Sequence, residues 1–128
     1  MNYFFAKTIE SSFDAAVEKI TDLLKEEGFG VLTEVNVQQT LKEKLGVEMP
    51  AYKILGACNP KYAHQAISTD PKVGLLLPCN VIVREVDENK VEVAAINAKI
   101  SMDTTGNKDL SDLSCTVTEV MEKVIKNL

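Results

Sequence analysis

The sequence contains few of the residues from which most enzyme and metal sites are built. It has no tryptophan, one histidine (His64) and three cysteines in 128 residues. A single imidazole excludes a histidine-rich metal site or a histidine dyad within one chain, and we expect His64 to be a surface residue. The number of cysteines is odd, and no pair of them has the Cys-x-x-Cys spacing; they are Cys58, Cys79 and Cys115. They therefore predict reduced thiols rather than a disulfide framework.

Long apolar runs and an excess of basic residues are also missing. No apolar stretch approaches the roughly 20 residues that cross a bilayer, and the run from Tyr3 to Ala6 is too short, and lacks the basic leader, for a signal peptide. The net charge is −5, whereas binding to nucleic acid or to an anionic membrane needs clustered lysine and arginine. We therefore expect a cytoplasmic protein with neither nucleic acid nor membrane as a partner.

The length and the apolar pattern predict one domain over residues 1–128. A chain of this size buries roughly two-thirds of its unfolded surface, so it needs neither disulfides nor a structural metal to fold. Long helices are predicted near residues 12–27 and 109–127, because apolar side chains recur there at steps of three and four residues. Asp109 is expected to cap the second of these helices.

Five segments predict strands, because they are rich in β-branched residues or alternate between apolar and polar positions. They lie near residues 2–9, 30–37, 51–58, 73–86 and 90–96. We expect the second strand to pair with the first, and the last two to form an antiparallel hairpin.

The remaining segments complete the predicted architecture. Residues 38–45 and the segment that starts at Asn59 favour short helices, whereas 97–108 shows no clear period and predicts a loop. The order of elements predicts an α+β fold, in which helices pack on one face of a mostly antiparallel sheet.

Unusual residues concentrate between Tyr52 and Val86, which contains two of the cysteines, the histidine and three of the four prolines. Gly56 weakens the interior of a strand, which needs a reason. One interpretation is that a ligand or another backbone approaches closely at this position. The alternative is a bulge or tight packing. Asn59 and Pro60 predict a helix start, with Asn59 as the cap and Pro60 at the first helical position.

Both cysteines of this region lie where regular pairing is broken. Cys58 comes immediately before the helix start, whose positive end favours a thiolate. Pro78 lacks an N–H group and interrupts the next strand beside Cys79. Backbone donors at such breaks are free to meet a ligand. The alternative interpretation is that Cys58 and Cys79 are small buried apolar residues, as free cysteines usually are, and we expect Cys115 to be a packing residue of the last helix.

A series of short motifs runs through most of the chain. They are Gly28-Phe29, Val31-Leu32, Tyr52-x-Ile54-Leu55-Gly56-x-Cys58-Asn59-Pro60, Ala63, Asp70-Pro71 and Gly74-Leu75-Leu76-Leu77-Pro78-Cys79. This series resembles the bacterial and archaeal family named domain of unknown function number 302, and the Cys-Asn-Pro and Leu-Leu-Pro-Cys elements are its specific part. The resemblance implies a curved antiparallel sheet gripping helices, similar to the TATA-binding-protein-like class, and a homodimer. It implies no particular activity.

A homodimer is also suggested by the aromatic run Tyr3-Phe4-Phe5. If the first strand is at the edge of the sheet, these side chains would be costly on the surface of a monomer.

Three functional classes remain open, and the pattern favours a protein that is not an enzyme. The first is a binding module whose small, partly apolar ligand lies in a cavity lined by residues 54–58 and 75–83, with Cys58 and Cys79 at its mouth. The second is thiol chemistry through the same cysteines, either redox or binding of copper(I) or zinc. The third is a structural or interaction role. No catalytic residue and no cofactor is assigned, and the predicted ligand-binding residues are Gly56, Cys58, Asn59, Pro60, Pro78 and Cys79.

Overall fold

The computed structural model describes residues 2–128, and within them it contains five strands, five α-helices and two short 3-10 turns. Their order is β1 (Phe4–Glu10), α1 (Phe13–Glu26), β2 (Gly30–Asn36), α2 (Val37–Leu45), β3 (Tyr52–Cys58), α3 (Pro60–Thr69), a 3-10 turn (Val73–Leu76), β4 (Cys79–Asp87), β5 (Lys90–Ile96), α4 (Ala98–Asp103), a second 3-10 turn (Lys108–Leu110) and α5 (Ser111–Lys126). None of the helices described is both long enough and apolar enough to cross a membrane.

The five strands form one open sheet in the order β1-β5-β4-β3-β2. Every neighbouring pair is antiparallel, so the predicted α+β fold is confirmed, and so is the β4–β5 hairpin. Asn89 has a φ of 55°, which fits the tight connection between these strands. The predicted pairing of β2 with β1 is wrong, because these strands are the two edges of the sheet. Helix α1 packs on β4 and β5 and carries the chain from one edge to the other.

The core lies between one face of the sheet and helices α1 and α5. Ile20 of α1, Val83 and Val93 of the sheet, and Met121 of α5 are fully buried in one cluster. The apolar side chains on one face of each helix supply this contact, as the three- and four-residue spacing predicts. The opposite face of the sheet is not covered by this core.

The ends of α1 follow the chemistry of its sequence. Ser12 caps the helix, and its hydroxyl accepts a hydrogen bond from the backbone N–H of Ala15 at 3.2 Å. Gly28 has a φ of 82°, a left-handed conformation that ends helices at little cost for glycine. Phe29 then folds back, and its N–H donates to the carbonyl of Leu24 at 2.9 Å.

Only the part of the segment 73–86 that follows Pro78 forms a strand, whereas the prediction was a strand over the whole segment with an interruption at Pro78. Val73–Leu76 forms a 3-10 turn and β4 begins only at Cys79. Pro78, which follows Leu77 through a cis peptide bond, has no N–H group to donate to the ladder. The strand therefore starts after the proline. Within the turn Val73 is buried, whereas Leu75 is 87% exposed.

The segment 97–108 is also different from its prediction, because residues 98–103 form α4 rather than a loop. Asn97 caps α4, and its side-chain oxygen accepts from the N–H of Lys99 at 3.2 Å. The six residues of α4 bury only Ala98 and Met102, which is too short a pattern to reveal a helical period. Helix α5 starts at Ser111, so Asp109 is not its cap, and this prediction is wrong as well.

Candidate functional site

The two cysteine segments meet around one small cavity beneath α3. Ala57 near the end of β3 is the cross-strand partner of Cys79 at the start of β4, and this register brings the two segments together. The cavity has a volume of about 20 Å³, which is enough for one water molecule. Four of the six predicted site residues line it, namely Cys58, Asn59, Pro78 and Cys79.

The other two predicted residues lie beside the cavity rather than in its lining. An added Cβ atom at Gly56 would lie 2.1 Å from Thr33 Oγ1 and 2.7 Å from Pro78 Cγ. Gly56 is therefore required by tight side-chain packing, which was the alternative to ligand approach. Pro60 occupies the first position of α3 and is exposed to solvent, where its missing N–H costs nothing.

Asn59 fixes the start of α3 above the cavity. Its side-chain oxygen accepts hydrogen bonds from the N–H groups of Lys61 at 3.0 Å and Tyr62 at 3.3 Å. Its amide nitrogen lies against the turn that ends α1, only 2.9 Å from the position of a Cβ atom at Gly28. The predicted cap is thus confirmed, and the same side chain joins α3 to the end of α1.

The three thiols have different surroundings. Cys79 is buried, and this burial, with a smaller contribution from the nearby Cys58, raises the pKa of its thiol from 9.0 to about 11. The Cys79 thiol is therefore protonated at neutral pH, which makes it a poor nucleophile. Cys58 is half-buried, whereas Cys115 is exposed. The prediction that Cys115 packs in the core is wrong, because α5 turns Ser114 and Val117 inward instead.

The cavity is too small for the ligand that the sequence led us to expect. Sites for small organic molecules usually enclose about 300 to 1,000 Å³, and this one encloses about 20 Å³. Phe29, Leu113 and Val117 are among the side chains that line it. Over residues 2–128 there is also no group of three or more His, Cys, Asp or Glu side chains that could hold a metal ion.

A larger depression lies on the sheet face that the core leaves uncovered, and we call it the open-face groove. Its volume is about 470 Å³. Most of the lining residues occupy outward positions of β1, β5, β4 and β3, and one precedes β1. The lining residues are Tyr3, Phe4, Tyr52, Asn80, Ile82, Arg84, Glu92, Ala94, Ala95 and Ile96.

Apolar cross-strand pairs form the floor of the open-face groove. Phe4 pairs with Ile96 between β1 and β5, and Ile82 pairs with Ala94 between β4 and β5. Tyr3 packs edge-to-face on Phe4, with ring centroids 5.0 Å apart, and 65% of Tyr3 is exposed. The groove therefore offers apolar and aromatic surface to solvent.

One ion pair lies in this apolar surface. Arg84 donates from Nε to Glu92 Oε1 at 2.7 Å, across the β4–β5 pair. A guanidinium group has five N–H donors, so Arg84 keeps donors for an oxygen of a bound molecule. Asn80, which is exposed, adds an amide group at the same face.

The family of the chain follows from comparison with known proteins. The model of a family described as "Domain of unknown function DUF302" matches residues 5–128. The chain belongs to the DUF302 family. Its structure is similar to the crystal structure of an uncharacterised conserved DUF302 protein from Bacillus stearothermophilus, with a TM-score of 0.88 and 22% sequence identity over 97% of this chain and 96% of that chain. No curated protein matches the sequence.

Membership in the DUF302 family confirms the resemblance carried by the Cys-Asn-Pro and Leu-Leu-Pro-Cys motifs. At 22% identity the similar crystal structure shows the DUF302 fold and nothing about a ligand.

Sequence reasoning on this DUF302 chain missed the open-face groove and the contribution of α4 to the cysteine cavity. A signal for the groove is present: residues 81–83 and 93–96 are apolar on both faces of their strands, whereas a sheet with one wet face normally alternates. Met102, which lines the cavity from α4, had no comparable signal, because its segment showed no period.

Proposed function

We propose that this DUF302 chain is a binding module, not an enzyme, that holds a small and partly apolar molecule in the open-face groove. The observation that carries the proposal is the groove volume of about 470 Å³, which falls within the usual range of small-molecule sites. Its mostly apolar lining with few polar groups is also typical of such sites. The proposed position differs from the cavity at Cys58 and Cys79, because that cavity holds about one water molecule.

The chemistry of the groove favours a molecule with an apolar body and one polar or anionic head. Ile82, Ala94 and Ile96 are half-buried, so an apolar body placed on them would cover surface that now meets water. Arg84 has N–H donors beyond the one that Glu92 uses, and charge-assisted hydrogen bonds to a carboxylate or sulfonate are among the strong ones.

A fluorescent naphthalene sulfonate dye has this chemistry and is a suitable probe. We expect saturable binding of one dye per chain, and we expect Ile82→Asn to weaken it by about tenfold, because the substitution removes apolar contact worth roughly 1.4 kcal/mol. Leu75→Asn is the matched control, since Leu75 is 87% exposed and does not line the groove. Equal loss of dye in both variants would contradict the proposal.

The natural occupant can be sought by native mass spectrometry of the protein purified from its own cells. A small molecule retained by the wild-type chain and lost from Ile82→Asn supports the proposal. A chain that carries no small molecule in either form favours a structural or interaction role instead.

A homodimer in the cytoplasm remains part of the proposal. Tyr3 and Phe4 lie at β1, an edge of the sheet, and exposed aromatic surface at an edge favours association with a second copy. All three cysteines are free, which supports a reducing compartment. The likeness to the TATA-binding-protein class of folds also stays a prediction.

A further inference from the structure

Three sulfur-containing side chains line the small cavity beneath α3. Cys58 comes from the end of β3, Cys79 from the start of β4 and Met102 from α4. They are far apart in sequence and are brought together only by the fold. The cavity shares no lining residue with the open-face groove, so a site in the cavity is independent of small-molecule binding in the groove.

We propose that Cys58, Cys79 and Met102 bind one copper(I) ion. Thiolate and thioether sulfurs are soft ligands, which suit copper(I), zinc and iron–sulfur clusters rather than hard cations. In the binding step each cysteine thiol loses its proton to solvent, each sulfur forms a bond to copper, and Met102 donates a sulfur lone pair. Copper stays in the +1 state throughout, so no oxidant or reductant takes part.

The size of the cavity fits an ion rather than a molecule. A volume of about 20 Å³ accommodates about one water, and a copper ion without its hydration shell needs no more space. The surrounding side chains are mostly apolar, with Phe29, Leu113 and Val117 among them. Such surroundings oppose hard cations, which keep bound water and prefer oxygen ligands.

The charge of the proposed complex is compatible with its position. Two thiolates and one copper(I) ion carry a net charge of −1, which needs compensation in an apolar site. Helix α3 spans ten residues, Pro60–Thr69, and it begins directly after Cys58 and Asn59. The positive end of this helix dipole therefore lies beside the site and stabilises negative charge there.

The same ligands disfavour zinc. Structural zinc is almost always held by four ligands in a tetrahedron, drawn from cysteine, histidine and carboxylates. Among residues 2–128 there is no group of three or more such side chains, and His64, the only imidazole, is exposed and does not line the cavity. The site thus offers three sulfurs, which suits copper(I) and leaves zinc short of ligands.

The test is an anaerobic titration of the full chain with copper(I) alone, in competition with the chromophore bicinchoninate. We expect one copper(I) per chain, and we expect X-ray absorption to show three sulfur neighbours around it. Zinc(II) under the same conditions should bind at least about 100-fold more weakly, because it lacks a fourth ligand. Copper surrounded by nitrogen and oxygen atoms would overturn the proposal, and so would a failure to compete with the chromophore.

Variants separate this site from adventitious thiol binding. Cys58→Ser should weaken copper(I) binding more than about 100-fold, since changing even an outer-shell partner of a metal costs 10- to 100-fold. Met102→Leu keeps an apolar side chain of similar size, so it should fold normally, weaken binding about tenfold and leave two sulfur neighbours in the absorption spectrum. Cys115→Ser is the matched control and should bind like the wild type. Loss of copper from Cys115→Ser, with Cys58→Ser unaffected, would refute the proposal.

Discussion

The Cys79 thiol links the stability of the domain to pH. Its pKa is raised from 9.0 to about 11, so the folded chain holds this proton to a higher pH than the unfolded chain does. The stabilisation of the folded chain that is linked to this proton is fully present below about pH 9. The free energy of unfolding then falls as pH rises toward about 11. The full loss should amount to about 3 kcal/mol, because the pKa is raised from 9.0 to about 11 and each pKa unit corresponds to about 1.4 kcal/mol.

Urea unfolding of the metal-free protein at several pH values measures this effect. Lysines and tyrosines also titrate at high pH, so the informative quantity is the difference between the wild type and Cys79→Ala. We expect this difference to shrink between pH 9 and pH 11, and Cys115→Ser to follow the wild type. Parallel curves for the wild type and Cys79→Ala would show that the thiol is not linked to folding.

The packing role of Gly56 can be tested by a substitution that adds a single Cβ atom. An added Cβ would lie 2.1 Å from Thr33 Oγ1 and 2.7 Å from Pro78 Cγ. The Thr33 hydroxyl can rotate away, but the proline ring is rigid, so Gly56→Ala should lower the free energy of unfolding by about 1 to 3 kcal/mol. Gly30→Ala is the control, because nothing lies within 4 Å of its Cβ position. Similar stability of the two variants in urea would exclude a packing role for Gly56.

At the scale of elements, Asn59 caps α3 beside the cysteine cavity that it lines. Asn59→Ala removes the acceptor for two backbone N–H groups. We expect it to lower the free energy of unfolding by about 1 kcal/mol. Asn59→Asp retains the acceptor and should recover most of that loss. We also expect faster amide hydrogen exchange in α3 for Asn59→Ala. Asn36→Ala, which uncaps α2, is the control, and exchange in α3 that responds equally to both variants would contradict this role.

Elements with a long repeating pattern could be predicted from the sequence, and short ones could not. The two long helices were predicted at 12–27 and 109–127, and they occupy Phe13–Glu26 and Ser111–Lys126. Several turns of helix show the periodicity of their apolar face. Helix α4 has six residues, so only one apolar pair repeats, and its fold depends on contacts with distant parts of the chain. The break at Pro78 was predicted, but not the 3-10 turn before it.

At the scale of the whole molecule, the sequence predicted one site around Cys58 and Cys79 without settling whether their segments meet, and the size of the space between them could not be predicted. Two strands joined by a short helix return alongside each other, which places the ends of β3 and β4 together. The volume that remains depends on how Met102, Leu113 and Val117 fill it, and these side chains come from α4 and α5. Packing of this kind is set by tertiary contacts that no local pattern encodes.

Strand order belongs to the same scale and explains why the open-face groove was missed. The first strand was expected to pair with the second, yet β1 pairs with β5 and β2 with β3. The groove exists because β1, β5, β4 and β3 lie side by side and present apolar outward positions in register. The register cannot be read from any one strand, since each contributes only a few of these side chains.

The open edges of the sheet lead to the last prediction, which concerns assembly. Tyr3 is 65% exposed and stacks edge-to-face on Phe4 beside the free edge of β1. We propose that a second copy packs on Tyr3 along this edge, next to the small-molecule site in the open-face groove, because burying an aromatic side chain at an interface contributes more than most other contacts.

Sedimentation equilibrium should therefore give a dimer at concentrations on the order of tens of micromolar, where a Kd near 1 μM corresponds to about −8 kcal/mol. Tyr3→Ser should raise the dissociation constant by about tenfold or more, since hot-spot residues contribute more than about 1 to 2 kcal/mol. Leu75→Ser removes a more exposed apolar side chain, at 87%, outside the β1 edge, and should leave the dimer intact. A wild-type chain that sediments as a monomer throughout this range would rule the dimer out, and equal weakening by both variants would place the interface elsewhere.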